Sequence, residues 1–165
     1  MSLKIRPATP ADAEALWAIL KPAFRAGDTY TVAADIPRAE ALAFWTAPEK
    51  SVYVAELPSS VVGTFYVKAN QGGGGAHVCN AGFVVHPQAR GQGVAGAMLA
   101  HSQTVARKMG FRAMQFNFVV TTNAGAIAIW ARDGFDTVGR LPGAFRHPVH
   151  GYVDALVMYK QLVET

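Results

Sequence analysis

The spacing of apolar positions changes several times along the chain, and each change marks an element. Residues 3–8, "LKIRPA", alternate as a short strand does. Thr9 then stands as a helix cap, with Pro10 at the first helical position and Asp12 three residues after the cap. Leu16, Ile19, Leu20, Ala23 and Phe24 recur every three or four residues and give that helix one apolar face. Residues 25–37 read as a loop, and residues 38–47 as a second short helix.

The period then falls to two. Segments 51–57, 61–69 and 76–85 are rich in β-branched and aromatic residues, and "LPSS" and "NQGGGG" turn the chain between them. They predict an antiparallel meander, with Gly72 to Gly75 at a hairpin tip. Helical spacing returns from Gly91 to Met109, where Arg107 and Lys108 favour the C-terminal dipole and Gly110 is the stop. Residues 112–120 read as a strand. Asn123 caps a helix over 124–133, ended by Gly134, and 135–141 and 152–162 are the last two strands. The order β-α-α-β-β-β-α-β-α-β-β implies an α/β fold of the α+β kind. A single mixed sheet is flanked by helices and holds one parallel crossover.

The 165 residues suit one domain, 1–165, with a sizeable core. No uninterrupted apolar run is long enough to span a bilayer, since Arg, Lys, Asp or Gly breaks each one, so no membrane is expected. The net charge of +4 comes from scattered Lys and Arg, without a basic run, so nucleic acid is not the expected partner. A modest positive balance suits a small ligand carrying several phosphates. Cys79 is the one cysteine. It cannot form an internal disulfide, and its apolar strand makes it a packing residue rather than a nucleophile. The N-terminal "MSLKIRPATP" lacks the apolar core of a signal peptide, so a cytoplasmic location is expected.

Residues 84–99, "VVHPQARGQGVAGAML", hold the candidate chemistry. Gly91, Gly93 and Gly96 crowd the start of a helix, although glycine costs a helix about 1 kcal/mol relative to alanine. A helix start leaves four N–H groups unpaired and carries a partial positive charge, and glycines let a phosphate reach the main chain. A pyrophosphate could take N–H bonds from Gly91 through Gly96, with Arg90 as a counter-charge. The absence of G-K-[ST] excludes a Walker loop. The G-x-G-x-x-G spacing matches a dinucleotide turn, but the preceding strand belongs to a meander and no acidic residue closes a second strand about 20 residues on.

The context resembles the GNAT superfamily of N-acetyltransferases. Phe83-Val84-Val85-His86-Pro87, then Arg90-x-x-Gly93-x-Ala95, follow its pattern of an apolar strand end, x-P and [QR]-x-x-G-x-[GA]. Asn123, Trp130 and Gly134-Phe135 follow in the order of its second motif, and the element order agrees over nearly the whole chain. The resemblance implies acetyl-coenzyme A as cosubstrate, with no metal, and a mostly antiparallel sheet with two splayed strands. The pyrophosphate would lie on Arg90, Gly91, Gln92, Gly93, Val94, Ala95 and Gly96. The pantetheine arm would pair with the main chain of Phe83, Val84 and Val85 as an added strand. Val84 or Val85 would offer an N–H to the thioester oxygen. Asn123 would hold the arm, cap its helix, or both.

Many members carry a tyrosine acid where this chain has Trp130, and a Glu where it has Cys79. Trp130 cannot protonate a leaving thiolate, so it would be a wall of the thioester pocket. No acidic residue lies between Ala69 and Val85. Asn80 and Asn117 are amides set into apolar strands, and strand alternation puts Gln115, Asn117 and Val119 on one face. "QFNFVVTTN", "IWARDGF" and the C-terminal stretch resemble more narrowly a subgroup that includes fungal acetyltransferases of toxic proline analogues such as azetidine-2-carboxylate. In that subgroup asparagines at the positions of Asn80 and Asn117 are implicated at the substrate, which makes them the candidate catalytic pair. The loop with Asp28 and Tyr30 is the other candidate acceptor contact. His147-x-x-His150 reads as surface chemistry rather than a metal site. The expected function is acetyl transfer to an amine of a small molecule, by a chain that could form a homodimer. A non-catalytic acyl-coenzyme A module and a protein or peptide N-acetyltransferase are the alternatives.

Overall fold

A computed structural model describes residues 2–164. The alternating segments do form a meander. β1 (Lys4–Pro7), β2 (Ser51–Leu57), β3 (Ser60–Ala69) and β4 (Val78–Val85) pair in sequence, each antiparallel to the last. β5 (Ala113–Val120) joins β4 in parallel. β7 (Gly151–Gln161) pairs with β5 and β6 (Asp136–His147), so the sheet runs β1-β2-β3-β4-β5-β7-β6. The mixed α/β sheet with its single parallel crossover is the expected fold.

Four helices cover the sheet: α1 (Ala13–Ala26), α2 (Arg38–Trp45), α3 (Val94–Lys108) and α4 (Ala124–Arg132). α1 follows a 3-10 turn, Pro10–Asp12, whose Asp12 carboxylate accepts the Thr9 N–H at 2.7 Å. Leu16, Ile19, Leu20 and Phe24 of α1 are buried with Trp45, Val54, Tyr66 and Val84 on one face of the sheet. Met98 and Leu99 of α3 and Trp130 of α4 are buried on the other face with Phe65, Cys79, Met114 and Phe116. One face therefore belongs to α1 and α2, the other to α3 and α4. Among the described residues, no helix is long and apolar enough to cross a membrane.

Three expectations need correction. Gly91 and Gly93 do not lie in the helix; they precede it with φ +76° and +80°, and Gly93 is its cap. The helical cost falls on Gly96 alone, while the other two hold backbone that L side chains rarely adopt. β6 does not stop at residue 141 but runs to His147, through "PGAF" with a register shift. Val119 does not share a face with Gln115 and Asn117. A bulge between Phe116 and Val119 turns it onto the side of Met114 and Phe116.

Candidate active site

The parallel ladder between β4 and β5 has two rungs, Val78↔Ala113 and Cys79↔Met114, and then the strands part. Which main-chain groups the gap receives follows from the other side of β4. His86 N–H donates to Val62 O at 2.8 Å and Asn70 N–H to Val78 O at 2.9 Å, so the even-numbered residues of β4 face β3. Ala81, Phe83 and Val85 direct their N–H and C=O into the gap. Val84 lines the cavity, but its main chain is paired across to Thr64. It cannot take part in the strand addition expected of it, nor supply an oxyanion N–H.

The gap widens into a cavity of about 890 Å³. At its α3 end lies the glycine turn. The first bond into the helix is Ala97 N–H to Gly93 O at 3.1 Å, which leaves the N–H groups of Val94, Ala95 and Gly96 without helical partners. A Cβ built on Gly91, Gly93 or Gly96 would meet nothing within 4 Å, so the surface is open as well as positive. Arg90 lines the same end. Gln92 does not line the cavity, and its amide donates to Gln88 O at 3.3 Å.

Trp130 is the wall between the strands. It is 8% exposed, with its ring centroid 5.2 Å from Phe83 and 5.1 Å from Phe116. Asn123 caps α4 through Oδ1, which accepts the Ala126 N–H at 3.4 Å, and it too lines the cavity.

Aromatic side chains build the opposite wall. Tyr30 packs edge-on against Phe24 and Trp45, and Trp45 against Tyr66. The Tyr30 hydroxyl donates to Phe83 O at 2.8 Å, a carbonyl that faces the gap. Burial holds that phenol far above its ordinary pKa, so it stays a donor at every working pH. The Lys50 ammonium lies over the Phe44 and Tyr66 rings at 3.6 and 4.4 Å, and burial, with the nearby Lys68 charge, pulls its pKa down to about 8. The Tyr66 ring lies on Gly82: a Cβ there would come within 2.5 Å of Cε2.

Asn80 and Asn117 both line the cavity, yet they do not bond to each other. Asn80 Nδ2 donates to Gln115 O at 3.0 Å, and the Tyr66 hydroxyl donates to Asn80 Oδ1 at 3.4 Å. Asn117 is exposed. It accepts from Gln115 Nε2 at 2.9 Å and donates to Asn70 Oδ1 at 2.6 Å. Asp28 and Tyr30 lie in the lining, so every candidate except Gln92 borders one cavity. Sequence reasoning missed Phe44, Tyr66, Gly82 and Arg132, which carry no local motif. Cys79 is fully buried and its thiol is pushed up to about 12 by desolvation, as befits a packing residue.

A family model described as the acetyltransferase (GNAT) family matches residues 13–135. Among curated proteins, the chain is 37% identical over 113 residues to N-acetyltransferase aca1 of Schizosaccharomyces pombe. The match takes in 67% of this chain and 54% of that protein, so the chain spans about half the length of the relative it matches. Among solved structures, a GCN5-related N-acetyltransferase from Kribbella flavida superposes with a TM-score of 0.90 and 37% identity, over 96% of this chain and 97% of that one. The yncA protein of Salmonella typhimurium, solved with acetyl-CoA, shares the fold at a TM-score of 0.87 and 22% identity, over 100% and 96% of the two chains. By sequence along most of its length, the chain belongs to the acetyltransferase (GNAT) family.

Proposed function

We propose that this chain is an N-acetyltransferase that moves the acetyl group of acetyl-coenzyme A directly to the amine of a small molecule. The carrying observation is the main chain of Ala81, Phe83 and Val85, which no neighbouring strand pairs on the gap side and which runs along the gap to an open, positive glycine turn. An arm bearing amides fits the first and a pyrophosphate the second. Bound there, acetyl-coenzyme A supplies an acetyl group activated as a thioester.

The chain's own residues do the rest. The N–H groups of Val94, Ala95 and Gly96 and the Arg90 guanidinium hold the phosphates. The Phe83 and Val85 N–H groups face the gap and can hydrogen-bond a carbonyl oxygen in it. Trp130 walls that end of the gap and offers no acid, so coenzyme A would leave as the thiolate and take its proton from water. Asn117, Tyr30 and Asp28 border the acceptor side, where Asp28 favours an incoming ammonium. The amine must lose a proton before it attacks. No carboxylate lies on β4, so that proton passes to a base or a chain of waters on the acceptor side.

The resemblance of residues 115–123 and 129–135 to acetyltransferases of proline analogues supports an amino acid or a proline analogue such as azetidine-2-carboxylate as acceptor. The exposed edge of β6, with Val138 and Leu141, is the surface we assign to a homodimer, which sedimentation velocity would check. The test of function is release of free thiol from acetyl-coenzyme A across a panel of amino acids, proline analogues, polyamines and peptides. Turnover of the first two classes is the expected result. Turnover of peptides alone would move the chain to protein acetylation, and coenzyme A binding without turnover of any acceptor would make it a binding module.

A further inference from the structure

The amide of Asn80 sits where the β4–β5 ladder ends. Cys79↔Met114 is the last rung, and Asn80 is the next residue of β4. In a continuing ladder the next donor from β4 would be the Ala81 N–H, which faces the gap, and the nearest acceptor on β5 would be Gln115 O. That acceptor is already taken by Asn80 Nδ2 at 3.0 Å. The residue is 9% exposed, and its side chain is held from behind by the Tyr66 hydroxyl on its Oδ1. Tyr66 is itself held between Gly82, where its ring leaves no room for a Cβ, and the Trp45 ring at 4.9 Å. Trp45 is tied by Nε1 to Thr64 Oγ1 at 3.0 Å.

We propose that Asn80 is a positioning residue that pins the split between β4 and β5 by occupying the Gln115 carbonyl, and so keeps Ala81 from adding a rung and shortening the gap. This rests on the reading that the gap receives the coenzyme arm. It gives Asn80 a role different from contact with the acceptor, which then falls to Asn117. The pin keeps the Gln115 carbonyl partnered, by a side chain, and leaves the Ala81 N–H facing the gap, open to water or to the coenzyme arm. Without the pin, part of the population closes by one rung. Apparent affinity for anything that needs the open gap then falls in proportion to the open fraction.

The test uses the whole chain without ligand, and then coenzyme A alone. Amide hydrogen exchange, resolved by residue, is compared for wild type and Asn80→Ala. The expected result is slower exchange at Ala81 in the variant, because its N–H gains Gln115 O. The amides of β1 and β2 should be unchanged. Calorimetry should then show coenzyme A binding roughly three- to tenfold more weakly, the effect of about one net hydrogen bond. Loss of a merely structural contact would speed exchange at Ala81, which overturns the proposal. So would unchanged exchange and affinity with a fall in kcat, which would make Asn80 an acceptor contact. Should Asn80→Ala not fold, Tyr66→Phe removes the rear support and keeps the ring. It should slow Ala81 exchange in the same direction by a smaller factor, and no slowing there rejects the pin. If wild type does not bind coenzyme A, the proposed function fails while the exchange result still decides the pin.

Discussion

The two walls of the cavity are built on different principles. The α3 wall is main chain: three glycines, three unpaired N–H groups and one guanidinium, with open space around each glycine. The α1–α2 wall is side chain: Phe24, Tyr30, Trp45 and Tyr66 pack ring against ring, and Gly82 admits the Tyr66 ring against the strand. A main-chain wall depends on backbone conformation and tolerates changes around it. A packed aromatic wall depends on shape, and one added methyl disturbs it. The first suits a constant ligand, the second a variable one.

The largest expected effect breaks the main-chain wall. Gly93→Asp places a side chain at φ +80° and a carboxylate where phosphates are to bind. Backbone strain of about 1–2 kcal/mol should leave the protein folded. Repulsion of up to about 4 kcal/mol for unit charges at 4 Å in an intermediate dielectric should weaken coenzyme A at least a hundredfold by calorimetry. An affinity close to wild type in a folded variant would place the coenzyme elsewhere.

Next comes the aromatic wall. Gly82→Ala drives a methyl to 2.5 Å from the Tyr66 ring. It should cost about 1–3 kcal/mol of stability, seen as a lower Tm. The loss in kcat/KM for the acceptor should exceed the loss in coenzyme affinity, and equal losses would mean the two walls are not separable. A smaller change is Tyr30→Phe, which keeps the ring but frees Phe83 O. A net hydrogen bond of about 1 kcal/mol predicts a roughly fivefold fall in kcat/KM for the acceptor, while the Phe83 carbonyl, freed for the coenzyme arm, should keep coenzyme affinity at or above wild type.

The smallest effect concerns the foot of the aromatic wall. Asp12, at the start of α1, takes a bidentate bond from Arg6 at 2.9 Å, and this holds its carboxyl below the ordinary aspartate range. The folded pKa lies under the unfolded one. The contribution is therefore full above about pH 4, the unfolded aspartate value, and is lost as pH falls through the lower folded value. Tm measured against pH should show a constant gap between wild type and Asp12→Asn above about pH 5, closing in stronger acid. A gap that does not change with pH would assign the bond's effect to packing.

The same contrast explains what was legible in the sequence. Ser51–Leu57 was predicted to the residue, because a half-buried strand writes its period into the chain. The glycine turn was legible because positive φ and close approach both select glycine at fixed spacing. The role of Gly82 was not, since a glycine that only makes room for a ring from β3 looks like any other. The aromatic wall draws on α1, the following loop, α2 and β3, so no local spacing records it. Val84 was misplaced in role because strand parity depends on which neighbour is paired. Val119 was put on the wrong face because the β5 bulge has no signature in "FNFVV".

A sheet has two edges, but the split between β4 and β5 gives this one two more, in its interior. Strand edges with unpaired main chain are templates for other strands. Outer edges invite neighbours from solution, whereas these inner edges lie between the α1–α2 layer and the α3–α4 layer and open toward the glycine turn. An exposed aggregation hazard has become a receptor for one extended molecule. During folding the same edges must stay apart while everything around them closes. Mutations that help β4 and β5 zip together should therefore raise thermal stability as they abolish function.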